Sequence, residues 1–251
     1  GSEMCIRDRY SGIRLERQKK YLPFMVAEGC SFYDLYQQRF ADNIGQLMNA
    51  AMRQIEADNN QQLAGVLSAV DYNSENALGT REHKNAILRD LLEDFEPLDL
   101  RPSEIEVKEG QVPADVIGDA YEYMIGQFAS MAGKKAGSFY TPAAVSEIMA
   151  RIVDVQPGER VYDPTCGSGS LLIKAAKKQN SKEVSIYGQE VNGSSVAMAK
   201  MNMYIHEIRD AKIGWGDTLA NPVFLDADGN LLLFDAIVAN MPFSKLSLIH
   251  I

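Results

Sequence analysis

Two short stretches of this 251-residue chain hold residue types whose order and spacing can do chemistry. The first is Val161-Tyr162-Asp163-Pro164-Thr165-Cys166-Gly167-Ser168-Gly169-Ser170-Leu171-Leu172-Ile173. An apolar run is followed by an acid, a Gly/Ser-rich turn and a second apolar run with helical spacing. That order reads as a strand, a tight turn and a helix start, an arrangement that presents backbone N–H groups to a nucleotide-like ligand. Gly167 and Gly169 permit positive φ and close backbone approach, with Ser168 and Ser170 completing the turn. Glu190 lies twenty-one residues after Gly169. An acid about 20 residues past such a loop is suited to ribose hydroxyls, because one carboxylate can accept from both. The second stretch, Asp235-Ala236-Ile237-Val238-Ala239-Asn240-Met241-Pro242-Phe243, repeats the strand-then-polar-turn design with an amide and an aromatic at its tip.

At this pair of motifs the chain resembles the amino-methylating, S-adenosylmethionine-dependent DNA methyltransferases, and within them the modification subunit of type I restriction–modification systems. The resemblance runs from about Ala41 to Ser244 and includes Ile55-Glu56-x-x-Asn59, Ala120-Tyr121-Glu122-Tyr123, Phe128-Ala129 and Tyr187-Gly188-Gln189-Glu190-x-Asn192. It implies S-adenosyl-L-methionine as cofactor. The glycine loop would hold its methionine moiety, and Asp163 would contact the amino end. Glu190 would bind the ribose, and Asp217 would accept from the adenine amino group. Asp217 in Trp215-Gly216-Asp217-Thr218 also suits a turn cap. Ser138, Phe139, Tyr140, Thr141 and Pro142 would close over the cofactor, although Thr141 and Pro142 equally suit an N-cap and a first helical residue. The family often has Glu in place of Ser138 and a basic residue in place of Ala143.

Catalysis is expected from Asn240, Met241, Pro242 and Phe243. The target implied by the resemblance would be an exocyclic amine, a poor nucleophile because its lone pair is delocalised into the ring. The Asn240 side-chain carbonyl and the main-chain carbonyl of Met241 can accept both amine hydrogens and free that lone pair for attack on the sulfonium methyl. Pro242 stiffens the turn, and Phe243 can stack on a base flipped from the duplex. Met241 stands where the family usually has proline; the main-chain acceptor is kept and rigidity is lost. Two other readings stay open: a methyltransferase for another amine or amide (cytosine N4, RNA, protein glutamine), and a non-catalytic cofactor-binding assembly subunit.

These residues need elements to position them. Strand-like runs near 160–163, 184–189, 212–215 and 232–239 alternate with helix-like runs at 171–178 and 194–208, which implies an α/β, Rossmann-like fold with a mostly parallel sheet. The glycine loop, Glu190, Asp217 and Asn240 all fall at or just past strand carboxyl ends, where such sheets bind ligands. The first half reads as helical. Ile44, Leu47, Met48, Ala51, Met52 and Ile55 form one apolar stripe, and Ile87, Leu88, Leu91, Leu92 and Phe95 another. A helix beginning at Pro113 has the stripe Val116, Ile117, Ala120, Tyr121, Met124 and Phe128. The small, basic stretch 132–137 suits a hinge. The expected domains are an N-terminal helical domain, 10–112, and a methyltransferase domain, 113–244.

The formal net charge of −9 argues against tight, autonomous binding to DNA phosphates. A partner must then supply the grip on DNA; the resemblance implies a sequence-specificity subunit and, in many systems, a motor-nuclease subunit. Cys5, Cys30 and Cys166 show no pairing or metal-ligand spacing, so no metal is expected and a reducing cytosol fits. No apolar run reaches the roughly 18–20 residues that span a membrane. Residues 1–9 and 245–251 resemble translated sequencing-adaptor sequence, so both ends are expected to be non-native and the natural chain to continue past Ser244. The methionines at 198, 201 and 203 read as core, and His206 as structural.

Overall fold

The computed structural model describes residues 25–100, 103–109, 111–131, 141–177 and 183–241. The chain divides into two compact units, Gly1–Lys108 and Glu109–Ile251. The first unit is helical: α1 (Phe32–Gln37), α2 (Ile44–Asp58), α3 (Asn60–Leu63), α4 (Glu75–Leu78) and α5 (Arg81–Phe95). The α2 stripe buries Ile44, Met48 and Ala51 against Leu35, Leu88 and Leu92, while Ile87 and Leu91 of the second expected stripe are exposed. The resemblance motif at 55–59 holds this unit's loops. Glu56 accepts from the backbone N–H groups of Gly65, Leu67 and Ser68, and Asn59 exchanges two hydrogen bonds with the backbone of Met25.

The second unit carries α6 (Pro113–Met131), α7 (Ala143–Val153), β1 (Arg160–Asp163), α8 (Ser170–Lys177), β2 (Ser185–Glu190), α9 (Gly193–Ile205), β3 (Lys212–Trp215) and β4 (Ala236–Ile237). The four strands form one parallel sheet in the order β3-β2-β1-β4. The core gathers Val161 and Ile186 of the sheet with Leu172 and Ile173 of α8 and Ala199 and Met203 of α9. Among the described residues no helix is long and apolar enough to cross a membrane.

Three local readings are corrected. The fourth strand was expected over 232–239, but β4 holds only Ala236–Ile237. The preceding residues instead fold back as a hairpin, with Leu225 bridged to Leu231 and the turn held by Asp226. Helix α7 begins one residue later than Pro142, whose ψ of 137° is extended, so Pro142 is the N-cap and Thr141 lies outside the helix. The inner face of α6 is also rotated from the expected stripe: Gly118, Ile125 and Ala129 are buried, whereas Ala120, Met124 and Phe128 are exposed. Gly118 sets this rotation, because a Cβ there would stand 2.1 Å from Cε1 of the buried His206.

That contact gives a stability prediction of unusual sign. Gly→Ala in a helix normally stabilises by about 0.8–1 kcal/mol. At Gly118 the added methyl overlaps the imidazole, so Gly118→Ala is expected to destabilise the fold by about 1–3 kcal/mol. Urea unfolding measures it, and a stabilised variant would show that α6 does not approach α9 this closely.

Candidate functional site

The parallel register brings the strand carboxyl ends into one row. Asp163 ends β1, Glu190 ends β2, Trp215 ends β3, and Asn240 follows β4. Cα partners include Asp163 with Gly188 and Glu190 with Trp215, while Val238 N–H donates to the Tyr162 carbonyl at 2.9 Å. The chain past β4 therefore leaves the sheet beside the start of the glycine loop.

The loop turns on Gly167 (φ 53°) and Gly169 (φ 77°), both in the left-handed region that glycine adopts without strain. Gly169 N–H donates to the Cys166 carbonyl at 2.7 Å, closing the turn into α8. Ser168 and Ser170 are buried, with their Oγ atoms 3.1 Å apart. Asn202 on α9 is fully buried behind them; its Nδ2 donates to the Ser168 carbonyl at 3.0 Å and to Ser170 Oγ at 3.4 Å. The two serine side chains thus brace the loop from within, and what the loop offers a ligand is backbone.

Glu190 is 6% exposed and spans two segments. Its Oε2 accepts from Gly167 N–H at 3.1 Å and its Oε1 from Asn192 N–H at 2.8 Å. A carboxylate has about four acceptor positions, so these two bonds leave capacity for a diol. Asp163 is 2% exposed, and its Oδ1 accepts from Thr165 N–H at 2.8 Å and Thr165 Oγ1 at 3.4 Å. Burial pushes its carboxyl up to about 7, against the opposing pull of the Thr165 bonds and with the charge of Glu190 adding to the rise. A buried acid in this condition suits a cationic partner. Burial likewise pushes the Cys166 thiol well above the ordinary thiol range.

Asp217 performs the cap that its sequence context allowed: Oδ1 accepts from Leu219 N–H at 3.0 Å and Ala220 N–H at 3.3 Å. Thr218 Oγ1 donates to the Pro164 carbonyl at 2.6 Å, tying this loop to the glycine loop. Asn240 is half-buried, and its Nδ2 donates to Thr141 Oγ1 at 3.2 Å across 99 residues of sequence. Met241 is 48% exposed. Ser138, Phe139, Tyr140, Pro142 and the turn residues beyond Met241 divide here: Pro142 is the α7 cap, whereas 138–140 and Pro242 with Phe243 lie outside the described residues. Sequence reasoning missed Asn202, Thr218 and the side chain of Gln189. Gln189 stood inside a quoted motif, and Asn202 was the one amide in an apolar helical run. Among the described residues no group of three or more His, Cys, Asp or Glu is placed to hold a metal ion.

A parallel sheet with a glycine loop after β1, an acid ending β2 and Asn240 just past β4 has the layout of a Rossmann-like methyltransferase fold. Residues 112–247 match the N-6 DNA Methylase family model and residues 3–95 the HsdM N-terminal domain, so the chain belongs to the N-6 DNA methylase family. It is 31% identical over 236 residues to the Type I restriction enzyme MjaVIII methylase subunit of Methanocaldococcus jannaschii, covering 90% of this chain and 38% of that protein. It is 39% identical over 140 residues to the Type I restriction enzyme MpnII methylase subunit of Mycoplasma pneumoniae, covering 52% of this chain and 26% of that protein. The crystal structure of a type I restriction-modification system methyltransferase subunit from Streptococcus thermophilus superposes with a TM-score of 0.65 at 28% identity, over 88% of this chain and 46% of that one. The chain therefore spans less than half the length of each of these relatives.

Proposed function

We propose that this chain is the methylating part of a type I restriction–modification subunit and transfers a methyl group from S-adenosyl-L-methionine to N6 of an adenine flipped out of DNA. The observation that carries the reading is the placement of the Asn240 amide. It sits one strand position from the glycine loop, and Thr141 accepts from its Nδ2, which directs Oδ1 to act as the acceptor.

The residues fit the cofactor. The positive-φ glycines let backbone approach the methionine end, with the buried Asp163 carboxyl as partner for its ammonium. Glu190 keeps acceptor capacity for the ribose hydroxyls, and Asp217 lies on the adjoining loop for the adenine amino group. When bound, S-adenosylmethionine supplies a methyl on an electron-poor sulfur. The chain's own part is positioning: Asn240 Oδ1 and the Met241 carbonyl accept the two amine hydrogens, so the nitrogen lone pair localises toward the methyl. Pro242 and Phe243 are proposed to stiffen this turn and to stack on the target base, and Ser138, Phe139 and Tyr140 to cover the cofactor. Ser168 and Ser170 contribute through backbone.

The acidic balance of the chain, 34 Asp and Glu against 25 Lys and Arg, supports a division of labour in which a specificity subunit, and in restricting systems a motor-nuclease subunit, holds the DNA. The match to the HsdM N-terminal domain supports DNA over RNA or protein as the target class.

Calorimetric titration with S-adenosylmethionine tests the cofactor. Binding is expected, and Glu190→Ala is expected to weaken it by about 1.5–3 kcal/mol, the cost of losing a charged hydrogen-bond partner. Equal affinity in the variant would remove Glu190 from the ribose site.

A further inference from the structure

We infer that Gln189 is a positioning residue for the adenosine half of the cofactor, acting through the loop 216–223 that it fastens to β2. The inference rests on the cofactor reading above. Gln189 is fully buried, and alternation along β2 puts it on the sheet face opposite Glu190 and on the same face as Tyr187, whose ring packs with Phe224 and Phe234. A buried amide in apolar company is costly unless its hydrogen-bonding groups are met. Here all four positions are used. Its Nε2 donates to the Gly216 carbonyl at 3.3 Å and the Asn221 carbonyl at 2.9 Å. Its Oε1 accepts from Val223 N–H at 3.1 Å and stands 3.5 Å from the Tyr162 hydroxyl. Two main-chain carbonyls can only accept and one N–H can only donate, so the amide has one possible orientation.

The placement explains why an amide stands where the strand pattern asks for an apolar residue. The β2–β3 ladder ends at the Glu190–Trp215 pair. Beyond it the chain turns away through Gly216, whose N–H still reaches the Glu190 carbonyl at 3.0 Å. From there to Val223 the loop has no strand partner, and the Gln189 side chain supplies three main-chain contacts in place of a ladder. The main chain of Gln189 also accepts from Cys166 N–H at 3.0 Å. One residue thus joins the glycine loop, the strand that ends in Glu190 and the loop that carries Asp217. An apolar residue of equal size would fill the same buried space but leave two carbonyls and one N–H without the partner that Gln189 supplies.

The test measures affinities of the 251-residue chain for S-adenosylhomocysteine and S-inosylhomocysteine, which differ at the exocyclic position facing Asp217 in this reading. Wild type is expected to prefer the adenosyl compound. Gln189→Met is expected to lower adenosyl affinity by about tenfold or more and to bring the adenosyl-to-inosyl ratio toward one. Gln189→Glu guards against misfolding of the first variant. Its ionised acid repels the two carbonyls, whereas its neutral acid can donate to one of them, so its ratio relative to wild type at the same pH should recover as pH falls from about 8 to about 6. A loss shared equally by both ligands, with the ratio intact in both variants, would reduce Gln189 to a core residue and overturn the inference. So would unchanged affinities. Wild-type chain that binds neither compound would instead sink the cofactor reading and this inference with it.

Discussion

Replacing Asn240 with alanine is expected to lower methyl transfer by the assembled enzyme by about 10²–10³-fold while leaving S-adenosylmethionine affinity nearly unchanged. The side chain contributes one of the two acceptors proposed to localise the lone pair of the target amine. Its amide is held by Thr141 rather than by any residue of the cofactor loop. Losing one preorganised hydrogen-bonding group at a reacting atom costs about 10²–10³-fold in kcat. Thr141→Val, which keeps shape and removes the hydroxyl, should lower kcat more mildly, and Thr141→Ser should restore it. Cys166→Ala should retain activity at a reduced but measurable level, since Cys166 is buried and burial holds its thiol protonated. Methylation at cytosine C5 needs a thiolate nucleophile, so the methyl should go to an exocyclic amine, and the proposed adenine target makes the product nucleoside N6-methyladenine. Detection of 5-methylcytosine, or full activity in Asn240→Ala, would overturn the mechanism.

Three strands of the sheet were legible because an acid or a glycine closes each of them, at Asp163, Glu190 and Gly216, and because alternation with helical runs leaves few topologies; β4, with no such stop, was read too long. The first-unit stripe was legible for the same reason: Ile44, Met48 and Ala51 recur at helical spacing and all are buried. What sequence periodicity could not show was contact across distance. The inner face of α6 is decided by Gly118 meeting His206, 88 residues on, and no spacing rule within α6 reveals that partner. Thr141 carries a strong local N-cap signature, yet its hydroxyl meets Asn240. Gln189 and Asn202 look like polar interruptions of apolar runs. Their shorter hydrogen bonds go to main-chain atoms 27 to 34 residues away, which carry no side-chain signal. Asp217 is the instructive middle case. Both of its sequence readings named a carboxylate at a strand end, and the cap is visible in the structure while the adenine contact belongs to the proposal.

The affinity for S-adenosylmethionine is expected to rise by up to about tenfold per pH unit as pH increases toward 7, and then to level off. The cause is Asp163, whose carboxyl is pushed up to about 7, chiefly by burial. Below that pH the free site holds a proton, and docking an ammonium against the carboxyl requires its release. Above it the carboxylate is already formed, until the ligand's own amine begins to deprotonate near about 8. Calorimetry in buffers of different ionisation enthalpy should report up to one proton released per ligand near pH 6, and Asp163→Asn should flatten the acid limb. An equally steep limb in Asp163→Asn would assign the proton to another group. The same shift carries a stability cost of opposite direction. A carboxyl raised in the folded state stabilises fully below its unfolded value near 3.9 and loses that contribution as pH rises through about 7, an effect of roughly 4 kcal/mol. His206 runs the other way: burial, with the nearby Lys177, lowers it to about 4, so its contribution is complete above about 6.5 and is lost as pH falls. The two slopes oppose each other between about pH 4 and 6.5. Asp163→Asn should therefore be more stable than wild type at neutral pH and more acid-sensitive below it, because removing the carboxyl exposes the histidine's loss. In the proposed reading the free site keeps a buried acid that weakens the fold at neutral pH, and the ammonium of S-adenosylmethionine would compensate it on binding.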